Sequence, residues 1–458
     1  MSSDTTPARP GVRAGRPLRT SFRPSGGILL PGAGAGRPSR TELPRWPLTA
    51  MFAAFPLWWA LGLAEMAWIP LAGAMAVLMV RRGGMRAPRG FGVWLLFLVL
   101  VGASVVGVDT SGRLIGFAYR GLQYLAVTIA FLYVYNARRT VTVDWLLGLL
   151  TLFWLYVVAG GWLGVVAPEF SFRTPLGYLL PQALQANEVV GEMVVRRATQ
   201  WNPDSWIALD PRPAAPFLYT NGWGGAYSML LPLVLTRLAR MPRDGRFLAL
   251  LAAVPVSFVP AFLTLNRGMF IGLGIAALYG GTLLLASGRA RAVAGLAAAS
   301  VAALGAASAL GVWDRLLGRV ESSSSTEDRA NLYEETLTRT LRSPLFGYGA
   351  PRPSWTEGAP SAGTQGHVWT VMFSHGLPAL ALFLGALLWL VWATGRARTP
   401  GTIAVHVIQV VLLVEVFYYG VLPHGLMLAL LPAAAILPHD SVHAVHPSGT
   451  PSSPRRLS

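Results

Sequence analysis

Long apolar segments alternate with short polar joints along most of this 458-residue chain. Each apolar segment is close to the roughly 20 residues that a helix needs to cross a bilayer. The pattern therefore predicts an all-α fold, a polytopic transmembrane helical bundle. We count about twelve such spans, which lie near residues 47–64, 66–80, 91–108, 116–136, 143–166, 216–236, 247–265, 268–286, 292–312, 367–394, 402–421 and 424–438.

Composition supports a membrane protein. Hydrophobic residues make up 53% of the chain and charged residues 12%, and the mean hydropathy is +0.50. A water-soluble core cannot hide that many apolar side chains, so a soluble globular class is excluded. The chain has no cysteine, which excludes disulfides, iron–sulfur clusters and thiol catalysis.

The net charge of +17 comes entirely from arginine, since the sequence contains no lysine. The arginines cluster in short joints between apolar runs, which is typical of topology signals rather than of a nucleic-acid groove. If the spans alternate, the joints beginning at Arg81, Arg138, Arg237, Arg289 and Arg396 share one side of the membrane. The positive-inside rule then predicts that both termini are cytoplasmic.

The same alternation places two polar loops, 167–215 and 313–366, together on the outer face. The spans and these loops form one domain over residues 46–438. Residues 1–45 are rich in Arg, Pro, Gly and Ser and are predicted to be a disordered basic cytoplasmic tail near anionic headgroups. Residues 439–458 are predicted to be a second disordered cytoplasmic tail.

The second outer loop contains a helical pattern. The stretch EDRANLYEETLTRTLR, which begins at Glu327, carries an apolar stripe at helical spacing, and Pro344 ends it. The polar residues just before it, at 322–326, are candidate N-caps, and Ser325 with Asp328 resembles a capping box. The outer loop before the tenth span is therefore predicted to be large and partly helical.

Ionisable groups inside or at the rim of a membrane are costly and are usually functional. Arg267 lies in a nearly loopless outer hairpin, Arg329 begins the outer-loop helix, and Arg120 lies near the outer end of the fourth span. Guanidinium groups suit phosphate oxygens, so two or three together favour a pyrophosphate site. The alternative is that each arginine snorkels to the interface or pairs with a carboxylate such as Asp109, Glu327 or Glu335.

Histidine is the other candidate group. His367 begins the tenth span from the outer side and can take a proton from an attacking hydroxyl, or it simply caps and hydrates the helix end. His375 lies two helical turns deeper and favours a structural role, and His424 at the start of the last span is ambiguous. The tail histidines at 439, 443 and 446 favour a solvated low-complexity segment over a metal site.

Several signatures are missing from the sequence. It contains no Walker A, GxGxxG, HExxH or GxSxG motif and no Asp-x-Asp pair in the outer loops. We therefore predict no cofactor, no metal and no nucleic-acid partner. The aromatic residues available to stack on sugars or to sit at the lipid interface are Trp162, Trp201, Trp206, Trp223, Trp355 and Trp369.

Taken together, four outer-side motifs carry a family resemblance. They are LNRG before a span, an Arg-x-x-x-Tyr helix followed by SPLFGYG, a Gly-His start of a span with His-Gly-Leu two turns later, and Tyr219-Thr220-Asn221-Gly222. In this combination the chain resembles the O-antigen ligase and O-antigen polymerase superfamily, most strongly over residues 216–394. Thr220 stands where that family usually has proline.

The resemblance implies a metal-independent, inverting glycosyltransferase on the outer face of a bacterial cytoplasmic membrane. Its donor is a glycan on polyprenyl pyrophosphate and its acceptor a glycan or lipid-linked hydroxyl, in surface polysaccharide assembly. Arg267 and Arg329 match the family's essential arginines, which hold the donor pyrophosphate, and His367 matches its essential histidine. The predicted substrate-binding residues around this centre are Arg120, Tyr333, Asn221, Gly347 and Gly349.

Two other classes stay open at this point. A transporter or flippase for lipid-linked oligosaccharides needs a similar number of spans and similar cations, although it keeps its polar residues near the midplane in repeated halves. A non-catalytic assembly scaffold would not require His367. Within the enzyme class, both a ligase that transfers once and a polymerase fit the sequence.

Overall fold

The structure is a computed structural model, and it describes residues 42–185, 188–200, 211–314, 325–356, 358–396 and 399–438. The fold is mostly helical, with 72% helix and 3% strand. The helices are α1 Trp46–Phe52, α2 Phe55–Leu61, α3 Trp68–Arg82, α4 Gly92–Ala103, α5 Ser111–Asn136, α6 Val143–Val166, α7 Pro175–Leu179, α8 Gln182–Gln185, α9 Glu188–Val194, α10 Thr220–Arg240, α11 Gly245–Leu263, α12 Arg267–Ala286, α13 Ala290–Ala309, α14 Ser325–Arg342, α15 His367–Thr394, α16 Pro400–Glu415 and α17 His424–Ile436.

Six helices of the described chain are long and apolar enough to cross a membrane: α5, α6, α11, α12, α13 and α15. Three further apolar segments are shorter, namely α4 with the 3-10 turn that follows it, α16 and α17. The prediction of an α-helical membrane protein is therefore confirmed. The finer count of about twelve spans stays a prediction.

The first predicted span differs from the structure. Residues 47–64 form two short helices, α1 and α2, instead of one continuous helix. The break falls at Ala53 and Ala54, because Pro56 has no backbone N–H to donate to Phe52 O and its ring crowds that carbonyl. Gly62 then ends α2 in the left-handed region, with φ 84°.

The first outer loop contains two small antiparallel sheets that the sequence did not predict. Strand β1, Ser171–Arg173, pairs with β2, Val195–Arg197, and Phe172 lies opposite Arg196. Strand β3, Thr199–Gln200, pairs with β4, Arg212–Pro213. In the second outer loop, α14 confirms the predicted helix, and α15 begins at His367 as predicted. The capping box at Ser325 and Asp328 involves side chains outside the described part of the structure.

Helix α10 lies at the centre of the bundle and packs against α6, α11, α12, α16 and α17. Helix α15 packs against α4, α14 and α16, and α5 packs against α3 and α17. Leu43 is buried at the edge of this core, and the hydroxyl of Thr140 donates to its carbonyl at 2.6 Å. Residues 42–45 of the predicted tail are described, and residues 1–41 lie outside the described residues.

The bundle has two ends that are used below. At the arginine end, Arg82 Nη1 donates to Asn136 O at 2.8 Å, and Arg138 Nη2 donates to Ala434 O at 2.6 Å. These bonds join the C-terminal ends of α3, α5 and α17. The opposite end, which we call the loop end, holds the starts of α10, α12, α15 and α17 and the two polar loops.

Candidate functional site

His367 begins α15 at the loop end, directly after a glycine that no other residue could replace without strain. Gly366 has φ 147°, and a Cβ there would lie 2.4 Å from Phe417 O. This close approach lets His367 N donate to Tyr419 O at 2.8 Å. The Gly-His pair therefore joins the start of α15 to the segment that follows α16.

The imidazole of His367 is held inside the bundle. The residue is 2% exposed, its Nε2 lies 2.8 Å from the hydroxyl oxygen of Tyr124 on α5, and Phe383 packs against its ring at 5.2 Å. A buried ring with one nitrogen on a tyrosine hydroxyl has a defined orientation. Such a histidine is suited to proton transfer or to orienting a hydroxyl group.

Tyr419 contacts both His367 and the LNRG motif, which contains Asn266. Its backbone oxygen accepts from His367, and its side-chain hydroxyl donates to Asn266 Oδ1 in a short hydrogen bond. Asn266 Nδ2 donates in turn to Thr220 O at 3.1 Å. The starts of α10, α12 and α15 are therefore tied together by two side chains.

Arg267 is the first residue of α12, and α11 ends only four residues earlier at Leu263, so the predicted tight hairpin is confirmed. Leu265 in this turn has φ 48°, an uncommon conformation for a residue other than glycine. The side chain of Arg267 is exposed, and it forms no hydrogen bond or ion pair with any described residue. This arginine is therefore free to bind an anion from outside the protein.

Arg120 lies on α5, one turn before Tyr124. It is half-buried and is close enough for an electrostatic interaction with His367, His375 and Tyr124. Among the described residues it has no hydrogen-bonding or ion-pair partner. A second unpaired cation thus lies beside the buried histidine.

Two of the three carboxylates that were considered as partners bind other arginines, and the side chain of Glu327 lies outside the described part of the structure. Asp109 pairs with Arg113 and with Arg352, the latter at 2.8 Å. The hydrogen bond from Arg113, together with the charge of Arg352, lowers the pKa of Asp109 below its ordinary value. Glu335 pairs with Arg339 at 2.7 Å. Neither carboxylate neutralises Arg120 or Arg267.

His375 lies at a break in α15. Gly376 has φ 84° and ψ 175°, so the helical hydrogen bonds are interrupted there. The hydroxyl of Ser104 lies 2.6 Å from Val101 O and 2.7 Å from His375 Nδ1. That hydroxyl has one proton, so it either donates to Val101 O and accepts from Nδ1, or donates to Nδ1. In both arrangements Nε2 is buried and has no partner within the described chain.

The backbone around Gly347 and Gly349 packs against the break in α15 and forms hydrogen bonds with it. Tyr348 N donates to Phe373 O at 3.0 Å, Gly349 N donates to Ser374 O at 2.7 Å, and Leu377 N donates to Pro344 O at 2.7 Å. Both glycines have positive φ, 63° and 71°. The SPLFGYG turn therefore satisfies the polar groups that the break exposes. This contact accounts for both glycines structurally, and their predicted role in substrate binding stays a prediction.

The predicted residues of the second outer loop and of α10 lie nearby. Tyr333 stacks on Trp369 of α15 with ring centroids 4.4 Å apart, which docks α14 on the helix that begins with His367. Arg329 lies one turn earlier on α14, but its side chain is outside the described part of the structure. Asn221 is exposed near the start of α10, next to Thr220.

Sequence reasoning missed Tyr124 and Tyr419. Tyr124 follows Arg120 by four residues, and that spacing places both on one helix face, so a signal was present. Tyr419 has no such signal, because its partners Asn266 and His367 are distant in the sequence. The residues Trp201, Trp206 and those at 439, 443 and 446 lie outside the described part.

Comparison with known proteins assigns no family: no protein-family model matches the chain, and no curated protein matches it. Within the described residues, no group of acidic and histidine side chains is arranged to hold a metal ion. The fold itself defines an α-helical membrane protein.

Proposed function

We propose that this protein is a membrane glycosyltransferase that transfers a glycan from a polyprenyl-pyrophosphate donor to an acceptor hydroxyl. The proposal includes about twelve spans, a bacterial cytoplasmic membrane, cytoplasmic termini and a centre on the outer face. The observation that supports this function is the environment of His367. Arg120 and Arg267 lie on helices that are tied to this buried histidine, and neither has a hydrogen-bonding or ion-pair partner among the described residues.

The reaction needs two kinds of chemistry. The bond between the anomeric carbon and the pyrophosphate oxygen breaks, and the leaving pyrophosphate keeps the electron pair. Preorganised guanidinium donors stabilise this growing negative charge, each contributing roughly 3 kcal/mol when well placed. We assign this role to Arg267 and Arg329, with Arg120 as a supporting cation. Tyr333, through its stack on Trp369, holds the helix that carries Arg329.

The acceptor hydroxyl attacks the anomeric carbon from the opposite face and loses its proton to His367. For this role, Nε2 carries the imidazole hydrogen and donates it to the Tyr124 oxygen, which leaves the Nδ1 lone pair for the acceptor. A single displacement of this kind inverts the anomeric configuration. Asn221, exposed at the start of α10, is proposed to contact the sugar.

The test is deletion of the gene in its source cell, followed by complementation with variants. Arg267→Ala and Arg329→Ala should lower surface glycan by about 100-fold or more while membrane insertion stays normal. The matched control is Arg240→Ala, since Arg240 is paired with Asp144 at 2.6 Å at the arginine end. That variant should leave the amount of surface glycan unchanged.

The lipid-linked glycan distinguishes the classes of protein. A transferase defect leaves it in the outer leaflet, where an added glycosidase reaches it, whereas a flippase defect leaves it protected in the inner leaflet. Shortened surface chains indicate a polymerase, and accumulation of finished chains on the lipid indicates a ligase. Near-normal glycan with Arg267→Ala would remove that residue from the centre.

A further inference from the structure

A buried arginine in the first outer loop has no hydrogen-bond partner among the described residues. Arg196 lies in the middle of β2 and is 1% exposed. Its Nε, Nη1 and Nη2 atoms are all buried, and none of them has a hydrogen-bond partner within the described chain. A guanidinium group without hydrogen bonds is costly to bury, so its retention calls for an explanation.

The groups around Arg196 do not satisfy it. Glu65, which is 8% exposed, and Glu192 interact with Arg196 electrostatically, but neither forms a direct ion pair with it. Burial lowers the pKa of Arg196, and the charges of these two carboxylates oppose that shift. Glu65 Oε2 lies 3.6 Å from His424 Nδ1. We call Arg196, Glu65 and His424 the Arg196 cluster.

Two neighbouring ring nitrogens are also without partners. His424 Nε2 is buried and unbonded within the described chain, and its ring is fixed by edge contacts with Phe55, Trp68 and Phe217. Trp59 contacts Phe172, the residue opposite Arg196 on β1, and its indole N–H is likewise buried and unbonded. Donors and acceptors are therefore held close together by rigid packing without satisfying one another.

The cluster borders the proposed transfer centre. The hydroxyl of Tyr119 on α5 donates to Glu65 O at 2.9 Å, and the next residue is Arg120. Tyr119 interacts electrostatically with both Arg196 and Arg120.

The positive and negative charges around Arg196 indicate which class of ligand fits the cluster. A phosphate group would face the carboxylates of Glu65 and Glu192 as well as the guanidinium, and like charges repel at short range. A neutral hydroxyl group accepts from a guanidinium and donates to a carboxylate, so it satisfies both partners at once. Trp59 is half-buried and is the aromatic ring of this group that we assign to contact with a sugar ring.

We propose that the Arg196 cluster is a binding subsite for a neutral sugar residue of the glycan substrate, held through its hydroxyl groups. The ligand class rests on the proposed function, whereas the existence of a polar ligand site rests on the unpartnered atoms alone. The subsite is separate from the pyrophosphate-binding arginines.

The first experiment measures thermal stability of the purified full chain in detergent without any ligand. Arg196→Leu should leave the melting temperature unchanged or raise it, because it removes a buried charge that has no hydrogen-bond partner among the described residues. Arg173→Leu is the matched control on the partner strand, since Arg173 Nη2 donates to Gly177 O at 2.7 Å. That control should lower the melting temperature, and a similar fall with Arg196→Leu would overturn the proposal.

The second experiment measures binding by saturation-transfer NMR in nanodiscs. The probes are neutral di- and trisaccharides of glucose, galactose, mannose and rhamnose, with inorganic pyrophosphate as the anionic probe. Wild type and Arg267→Ala should bind at least one sugar, and Arg196→Leu and Glu65→Gln should lose most of that signal. Glu65→Gln serves where Arg196→Leu fails to fold.

Three results would overturn the subsite. They are no sugar signal that depends on Arg196, sugar binding that is unchanged in Glu65→Gln, and pyrophosphate binding that is lost in Arg196→Leu. Sugar binding that depends on Arg196 in a protein without transfer activity would instead refute the proposed function and leave the subsite standing.

Discussion

Three arginines at one end of the helical bundle differ from three arginines at the other end in their hydrogen bonds. At the arginine end, Arg82, Arg138 and Arg240 each bond to a backbone oxygen or a carboxylate. At the loop end, Arg120, Arg196 and Arg267 have no hydrogen bond or direct ion pair with a described residue. Since unpaired charge is costly in or near a membrane, the first set stabilises the fold and the second set points to ligands.

Histidines repeat this contrast. His406, near the arginine end, lies 3.0 Å from the Thr394 hydroxyl through Nδ1 and 2.8 Å from the Tyr279 hydroxyl through Nε2. Both of its ring nitrogens are satisfied. His375, near the loop end, has an Nε2 without a partner in the described chain. A buried polar group whose hydrogen bonds are complete is a packing element, whereas an incomplete one is a candidate for function.

The largest expected effect separates His367 from His406. His367→Ala should lower glycan transfer per folded protein by about 100-fold or more, as expected for loss of a general base. It should also lower stability by about 1–3 kcal/mol, because it leaves the buried Tyr124 hydroxyl without its partner. His406→Ala should lower stability by about 2 kcal/mol, because it leaves two hydroxyl groups without their partner. Both are measured by surface glycan per folded protein and by thermal unfolding in detergent. Equal losses of transfer per folded protein in His367→Ala and His406→Ala would contradict the proposed difference between the loop end and the arginine end.

The next effect compares two arginines on or just after α5. Arg138→Met should lower stability by about 1.5–3 kcal/mol, because its guanidinium donates to Ala434 O and stacks on Tyr135 at 4.5 Å. Arg120→Met should lower transfer without this loss of stability. The measurements are thermal unfolding and the surface-glycan assay. A stability loss as large for Arg120→Met would show that Arg120 has a structural partner.

The smallest expected effect tests the break in α15. Gly376→Ala should destabilise the protein by about 1–3 kcal/mol, since a residue at φ 84° is strained and the new Cβ would lie 2.4 Å from Leu345 O. The SPLFGYG turn should also become more sensitive to limited proteolysis. Gly274→Ala on α12 is the control, because nothing lies within 4 Å of its Cβ position. Equal stability of the two variants would contradict the docking of the turn into the break.

The sequence was sufficient for those features that depend on local pattern. Hydropathy located the long apolar helices, the spacing of apolar residues located α14, and the polar-to-apolar change located the start of α15 at His367. The tight LNRG hairpin also followed from two apolar runs with almost no loop between them. These features depend on residues that are near one another in the sequence, because helical hydrogen bonds join residues four apart and a membrane span is a single run of about 20 residues.

Only the tertiary structure decided which polar groups have partners. His367 meets Tyr124 across 243 positions, and Tyr419 meets Asn266 across 153. The helix breaks at Pro56 and Gly376 depend on both levels. Proline and glycine permit a break, and the tertiary packing determines which segment contacts the broken helix. Arginine at position 138 and arginine at position 196 look alike in the sequence. Arg138 has a hydrogen-bond acceptor, whereas Arg196 has none among the described residues. The free energy of a buried charge depends on the atoms that folding brings to it.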